Sequence, residues 1–207
     1  GPRNRSEERE HDDMVVTGHR HPFRNRYRVG FDDDGRILGV TVDLFSDGGA
    51  FADLSPAVLA RAMCHIDNAY YLPDVRITGR ICRTNKAPNT AMRGFGGPQG
   101  VATIECAMQE IAAILGKDAF DVRRLNCYGA APRDVTPYGQ KLDNNTLPRL
   151  FDELVEKCDY RKRLEAVRRI NAESKTTLAG IAMTAVKFGI SFNTTFLNQA
   201  SALLNVY

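Results

Sequence analysis

Residues 89–100, NTAMRGFGGPQG, constrain the fold of this chain more than any other stretch. Gly94, Gly96, Gly97 and Gly100 stand close together, directly ahead of a long amphipathic run that opens at Pro98. A bare turn needs one or two glycines. Four together let the backbone come very close to something bulky, although each glycine loses more chain entropy on folding than any other residue. In the run that follows, Val101, Ile104, Met108, Ile111 and Leu115 recur at threes and fours. That period predicts a helix with one apolar face, started near Pro98 and stopped by Gly116.

The loop fits neither familiar phosphate cradle. A dinucleotide fingerprint needs glycine where Gln99 stands, and a P-loop needs a Gly-Lys-Ser/Thr ending that is absent. Two readings remain. In one, the free N–H groups and positive end of the helix meet an anion or an electron-rich oxygen, with Arg93 adding a charged fork of donors. In the other, the loop packs tightly on a sheet and Arg93 pairs with a carboxylate. Phe95, held between glycines, has little to pack against in its own loop and is placed to face a flat ligand.

The rest of the chain mixes strands and helices without alternating βαβ units, so the predicted class is α+β, with mixed sheets and packed helices. FRNRYRVGF and RILGVTVDLF flank the turn cluster DDDG and predict a β-hairpin. VRITGRICRTN reads as a further strand, and SPAVLARAMCHI as a short helix opening near Pro56. DAFDVRRLN predicts a helix capped by Asp118, and a mainly helical segment follows at about 146–175. LAGIAMTAVKFGIS and QASALLNVY have strand-like composition. Residues 3–13 hold no apolar side chain, and Gly1-Pro2 has the form of a protease scar, which would make the chain an excised fragment. Residues 1–13 are therefore an expected flexible entry, and 14–207 the ordered part.

Composition excludes several classes. With 43% hydrophobic and 26% charged residues, the chain can bury a core of its own. No apolar run approaches the roughly 20 residues of a spanning helix, and no secretory leader is visible. The expectation is no membrane and a cytoplasmic home. Five cysteines without a CxxC pair suggest reduced thiols acting as small core residues. A net charge of +3, with arginines dispersed among acids, argues against nucleic acid. His19 and His21 lack partners at zinc-ligand spacing.

Arg61 sits among apolar residues in the short helix, so it needs an anionic or hydrogen-bonding partner. A structural ion pair and a substrate contact both satisfy that need. His65, four residues on, shares its face and reads as a core or surface histidine. Phe188, Phe192 and Phe196 are four apart and form either a core cluster or the aromatic wall of a pocket.

RTNKAPNTAMRGFGGPQG, HIDNAYYLPDVRITGRICRTN and VKFGISFNTTFLNQASALLNVY closely resemble, at this spacing, the molybdenum-cofactor domain of the xanthine dehydrogenase/aldehyde oxidase family. The resemblance runs from about Met14 to Tyr207 and implies a partial molybdenum-cofactor-binding domain. It further implies that Met92, Arg93 and Gly94 border molybdenum-molybdopterin, with the Arg93 backbone near the metal. Phe95 and Phe192 match the aromatic pair that sandwiches a purine, and Arg61 the arginine that bonds a purine oxygen and stabilises negative charge on the ring. Related aldehyde oxidases usually lack that arginine. Asn193 stands where xanthine-oxidising relatives carry threonine. The implied activity of the complete enzyme is water-dependent hydroxylation of hypoxanthine and xanthine to urate. Its partners are the rest of the molybdenum subunit and modules carrying iron-sulfur clusters, FAD and NAD. No catalytic residue falls within this chain, since the base glutamate is expected outside it, and the isolated chain is expected to bind no cofactor and to be inactive. Hydroxylation of aldehydes or other N-heterocycles, or a scaffold role without catalysis, are the alternatives.

Overall fold

The computed structural model describes residues 12–13, 15–193 and 195–206. The entry expected at 1–13 lies almost wholly outside the described residues, as do Met14 and Tyr207.

Strands β1 (Phe23–Phe31) and β2 (Ile37–Gly49) form the predicted hairpin, antiparallel, with Tyr27 opposite Val42 and Val29 opposite Val40. The turn is local chemistry: the Asp32 carboxylate accepts the amides of Asp34 and Arg36 at 3.1 and 2.8 Å, and Gly35 takes φ 90°. Alternation along β2 buries Val40, Val42 and Leu44. Strand β3 (Val75–Arg83) pairs with β2 in parallel, Ile77 opposite Val42, giving a mixed sheet of order β1-β2-β3. A parallel join needs a crossover. Helix α1 (Ser55–Cys64) supplies it, so β2, α1 and β3 form a βαβ unit that the sequence reading did not resolve.

Helix α2 (Gly97–Leu115) packs beside α1 and buries Ile104, Met108 and Ile111, three of the five residues the period singled out. Gly116 ends it with φ 63°. Helix α3 (Ala119–Asn126) is capped as predicted: the Asp118 carboxylate accepts the Phe120 amide at 3.2 Å. Helices α4 (Leu147–Lys157) and α5 (Tyr160–Glu173) bring Phe151 and Tyr160 onto the Phe120 ring, with centroids 5.1 and 5.2 Å away.

Two expectations fail. Neither the segment 178–191 nor 199–206 forms a strand or any other regular element. Composition reports fit to a half-buried surface, whereas a strand needs a hydrogen-bonding neighbour. Side chains take that neighbour's place. The Asn68 amide accepts the Lys187 N–H at 3.0 Å and donates to the Ala185 carbonyl at 2.8 Å, as a strand edge would. The cysteines are free, but only Cys127 is buried; Cys64, Cys82 and Cys106 are exposed. They fall on solvent-facing positions of their elements, so small apolar size alone does not put a thiol in the core.

Candidate functional site

The glycine loop has an internal reason for its composition. A Cβ on Gly96 would run into the Val58 carbonyl oxygen, and one on Gly100 into that of Ala62. One on Gly97 would stand 2.5 Å from the Phe188 ring. The bulky neighbour is therefore the backbone of α1, with Phe188 beside it, and not a sheet. Gly94 and Gly96 have φ of 93° and 98°, and Phe95 between them is held at φ 50°, where a side chain is strained. The turn closes on itself through Phe95 N–H to the Met92 carbonyl at 2.7 Å and Gly97 N–H to Gly94 at 2.8 Å.

Arg93 is exposed, and among the described residues no ion pair involves it, contrary to the carboxylate pairing considered from sequence. Its carbonyl accepts Nη2 of Arg20 at 2.6 Å. The other terminal nitrogen, Arg20 Nη1, is buried without a partner beside Gly94. A buried guanidinium donor left open suits an oxygen-rich or anionic group at the Gly94 end of the turn. Nothing in the sequence marked Arg20. Beside the loop lies a cavity of about 480 Å³ lined by Arg93, Gly94, Pro98, Val101, Val186 and Phe188. Phe188, not Phe95 or Phe192, is the aromatic on that wall.

At its other end the turn meets the segment 187–193. The Phe95 and Phe192 rings touch edge-on, centroids 5.5 Å apart. Asn193 donates from Nδ2 to the Ala57 carbonyl at 2.9 Å, and its Oδ1 is buried without a partner. Arg61 is 6% exposed and forks its guanidinium onto the carbonyls of Gly189 and Ser191. The partner required by burial is thus backbone, and neither a carboxylate nor, in this structure, a ligand. The Phe188 ring lies under the same guanidinium, 5.3 Å away. Of the four sequence-predicted substrate residues, Arg61 lies in α1, Asn193 bonds to it at Ala57, and Phe95 and Phe192 meet each other, while the three predicted cofactor residues form the adjoining turn.

Lys187 reaches the buried Asp67, whose carboxylate also accepts the Tyr128 hydroxyl at 2.5 Å. Burial pushes the Asp67 carboxyl above the usual carboxylate range, against the pull of Lys187 and Tyr128. Burial lowers His65, which bonds both Arg61 and Gly189. His21 is 2% exposed and engages Ser55 at 2.7 Å. Among the described residues no group of three or more His, Cys, Asp or Glu is placed to hold a metal ion, and no helix is long and apolar enough to cross a membrane.

Comparison with known proteins bears on this geometry. Residues 5–127 match the model of the molybdopterin cofactor-binding domain family. The chain is 46% identical over 196 residues to a xanthine dehydrogenase/oxidase of Mus musculus, covering 95% of this chain and 14% of that protein. It is 45% identical to a xanthine dehydrogenase of Dictyostelium discoideum, covering 94% and 14%. The chain spans about 14% of the length of the curated relatives it matches. Among solved structures it is similar to the aldehyde oxidoreductase of Desulfovibrio gigas, with a TM-score of 0.70, 30% identity, and 80% of this chain and 18% of that one covered. It is also similar to the quinoline 2-oxidoreductase of Pseudomonas putida, with a TM-score of 0.62, 27% identity, and 77% and 21% covered.

Proposed function

Because the chain belongs to the molybdopterin cofactor-binding domain family, we propose that it contributes one wall of the cofactor and substrate site of a xanthine dehydrogenase, which hydroxylates hypoxanthine and xanthine to urate with oxygen from water. The observation that carries the reading is a single turn, Met92–Phe95, with an open buried Arg20 donor at one end and the Phe95–Phe192 contact at the other. Molybdenum-molybdopterin, when bound, supplies the redox chemistry. Met92, Arg93 and Gly94 hold it by their backbone, and the spare Arg20 Nη1 offers it a charged donor. Phe95 and Phe192 orient a planar ring by their faces. Asn193 Oδ1, an unpartnered acceptor, takes a ring N–H. Arg61 stabilises negative charge on the ring through the guanidinium hydrogens not directed at Gly189 and Ser191. The base, the remaining cofactor contacts and the iron-sulfur, FAD and NAD modules belong to polypeptide outside this sequence, in a cytoplasmic enzyme. Residues 14–207 act as part of one domain, with 1–13 as an entry.

A second reading, hydroxylation of aldehydes or other N-heterocycles, draws on the likeness to the two oxidoreductases above. Arg61 separates the two. The test is a substrate profile of the complete protein: xanthine turned over in preference to benzaldehyde and quinoline supports a purine enzyme, and the reverse order overturns it. Expressed alone in a host that makes molybdopterin, the 207-residue chain should carry no stoichiometric molybdenum and oxidise no xanthine with an artificial acceptor. Metal with turnover would place a base within this sequence.

A further inference from the structure

His65 ends α1 and bonds on two sides. Its Nδ1 lies 2.8 Å from the Arg61 carbonyl oxygen and its Nε2 3.0 Å from the Gly189 amide nitrogen. A backbone N–H can only donate, so Nε2 must present its lone pair, and Nδ1 must carry the proton that the Arg61 carbonyl accepts. Both bonds therefore demand one tautomer of the neutral ring. His65 is 4% exposed, and the Phe188 ring packs on it at 4.9 Å. Burial is the largest influence and keeps the ring neutral, the Arg61 and Lys187 charges act with it, and the bond to the Arg61 carbonyl and the Asp67 charge only partly offset it. A Cβ at Gly189 would stand 3.0 Å from Arg61 Nη1, so the segment is drawn in tightly there.

Residues 189–191 are thus gripped through one N–H by His65 and through two carbonyls by Arg61. Phe192 and Asn193 follow without an intervening residue. We infer that His65 is a positioning residue: by accepting the Gly189 amide it sets residues 187–191 in register against α1, and so places Phe192 on Phe95 and the Asn193 amide on the Ala57 carbonyl. The inference rests on the reading of Phe192 and Asn193 as part of the substrate wall. The rival account is an ordinary helix-end contact, in which only the bond back to Arg61 matters.

Two substitutions divide the bonds. Asparagine at 65 keeps a donor where Nδ1 stands and loses reach to Gly189, whereas glutamine extends as far as Nε2 and can still accept that amide. The measurements, on the complete cofactor-loaded enzyme, are amide hydrogen exchange of the peptide covering 187–193 and steady-state kinetics with xanthine. His65→Asn should speed exchange there by roughly tenfold or more, because a local opening becomes easier. It should also raise KM for xanthine about tenfold with kcat within about twofold, the pattern of lost substrate binding. His65→Gln should stay within about threefold of wild type in both. Equal effects, or a milder asparagine than glutamine variant, overturn the inference in favour of the helix-end contact. The expected exchange order with an unchanged KM instead removes Phe192 and Asn193 from the substrate wall, and the positioning role falls with that reading. Should the asparagine variant fail to accumulate, the glutamine variant decides alone: near-wild-type protection and KM support the inference, and loss of either overturns it.

Discussion

The Phe192 ring lies against the Phe95 ring at an interplanar angle of 63°, with centroids 5.5 Å apart, so the two aromatics assigned to hold a flat substrate hold each other. A ring bound between their faces must replace this contact with two of its own. Each alanine substitution therefore removes an aromatic contact of about 0.5–1.5 kcal/mol beyond simple area burial. Phe95→Ala and Phe192→Ala should each weaken xanthine binding by roughly two- to twelvefold, and the double variant should show less than the product, because the partners are in contact. Binding as tight as wild type in either variant would make that residue core.

Arg61→Met tests a side chain with two duties. Loss of a donor to transition-state charge typically costs about 3–4 kcal/mol, so xanthine turnover should fall by roughly a hundredfold or more while aldehydes are spared. The same change leaves the Gly189 and Ser191 carbonyls without their donors. Hydrogen bonds to charged groups contribute about 1.5–3 kcal/mol each, so the variant should also unfold at distinctly lower denaturant. Equal loss on purines and aldehydes, with lowered stability, would assign Arg61 to the fold alone.

What the sequence disclosed was local. The DDDG turn, the Asp118 cap and the α2 face follow from neighbours a few positions apart, and all three stand where the residues put them. What it concealed was choice of partner. Nothing near 178–191 says that Asn68, more than a hundred residues earlier, replaces a strand edge. The need for a partner at Arg61 was readable from its apolar setting, yet the carbonyls that answer it lie 128 and 130 residues away. The four-residue spacing of Arg61 and His65 was the one available hint of their shared task. Arg20 offered none, being 73 residues from Arg93.

Gly96 and Gly100 make a sharp test of the α1–α2 approach. Alanine at either puts a methyl into a carbonyl of α1 that cannot step aside without moving the helix. Overpacking typically costs about 1–3 kcal/mol, and Gly96→Ala adds the left-handed penalty of about 1–2 kcal/mol at φ 98°. Gly129, with nothing within 4 Å of an added Cβ, is the control. Urea unfolding should rank Gly96→Ala below Gly100→Ala, and both well below Gly129→Ala. If all three match, the close approach is not required.

Acid should weaken the chain in two stages. His21 and His65 are both held below the ordinary histidine value of 6.5, in each case chiefly by burial. A depressed histidine favours protonation of the unfolded chain, so its contribution is full above 6.5 and is lost as pH falls towards the folded value. Asp47 acts further down. Bonds from Thr84 and Lys86 hold its carboxyl at about 2 against an ordinary 3.8, so its contribution is present above 3.8 and disappears as pH approaches 2. Asp67 has the opposite sign: its raised value means that the folded state binds the proton more readily, which offsets part of the loss at low pH. Urea midpoints should therefore decline from about pH 6.5 downward, and a second decline should set in below about 4. His21→Gln and His65→Gln together should flatten the first stage and leave the second, whereas Asp47→Asn should shrink the second, to which the depressed Asp53 also contributes, and deepen the first slightly, because the Asp47 charge raises His21. A first stage that survives both histidine substitutions would show that other groups, and not these two buried rings, set the response near neutral pH.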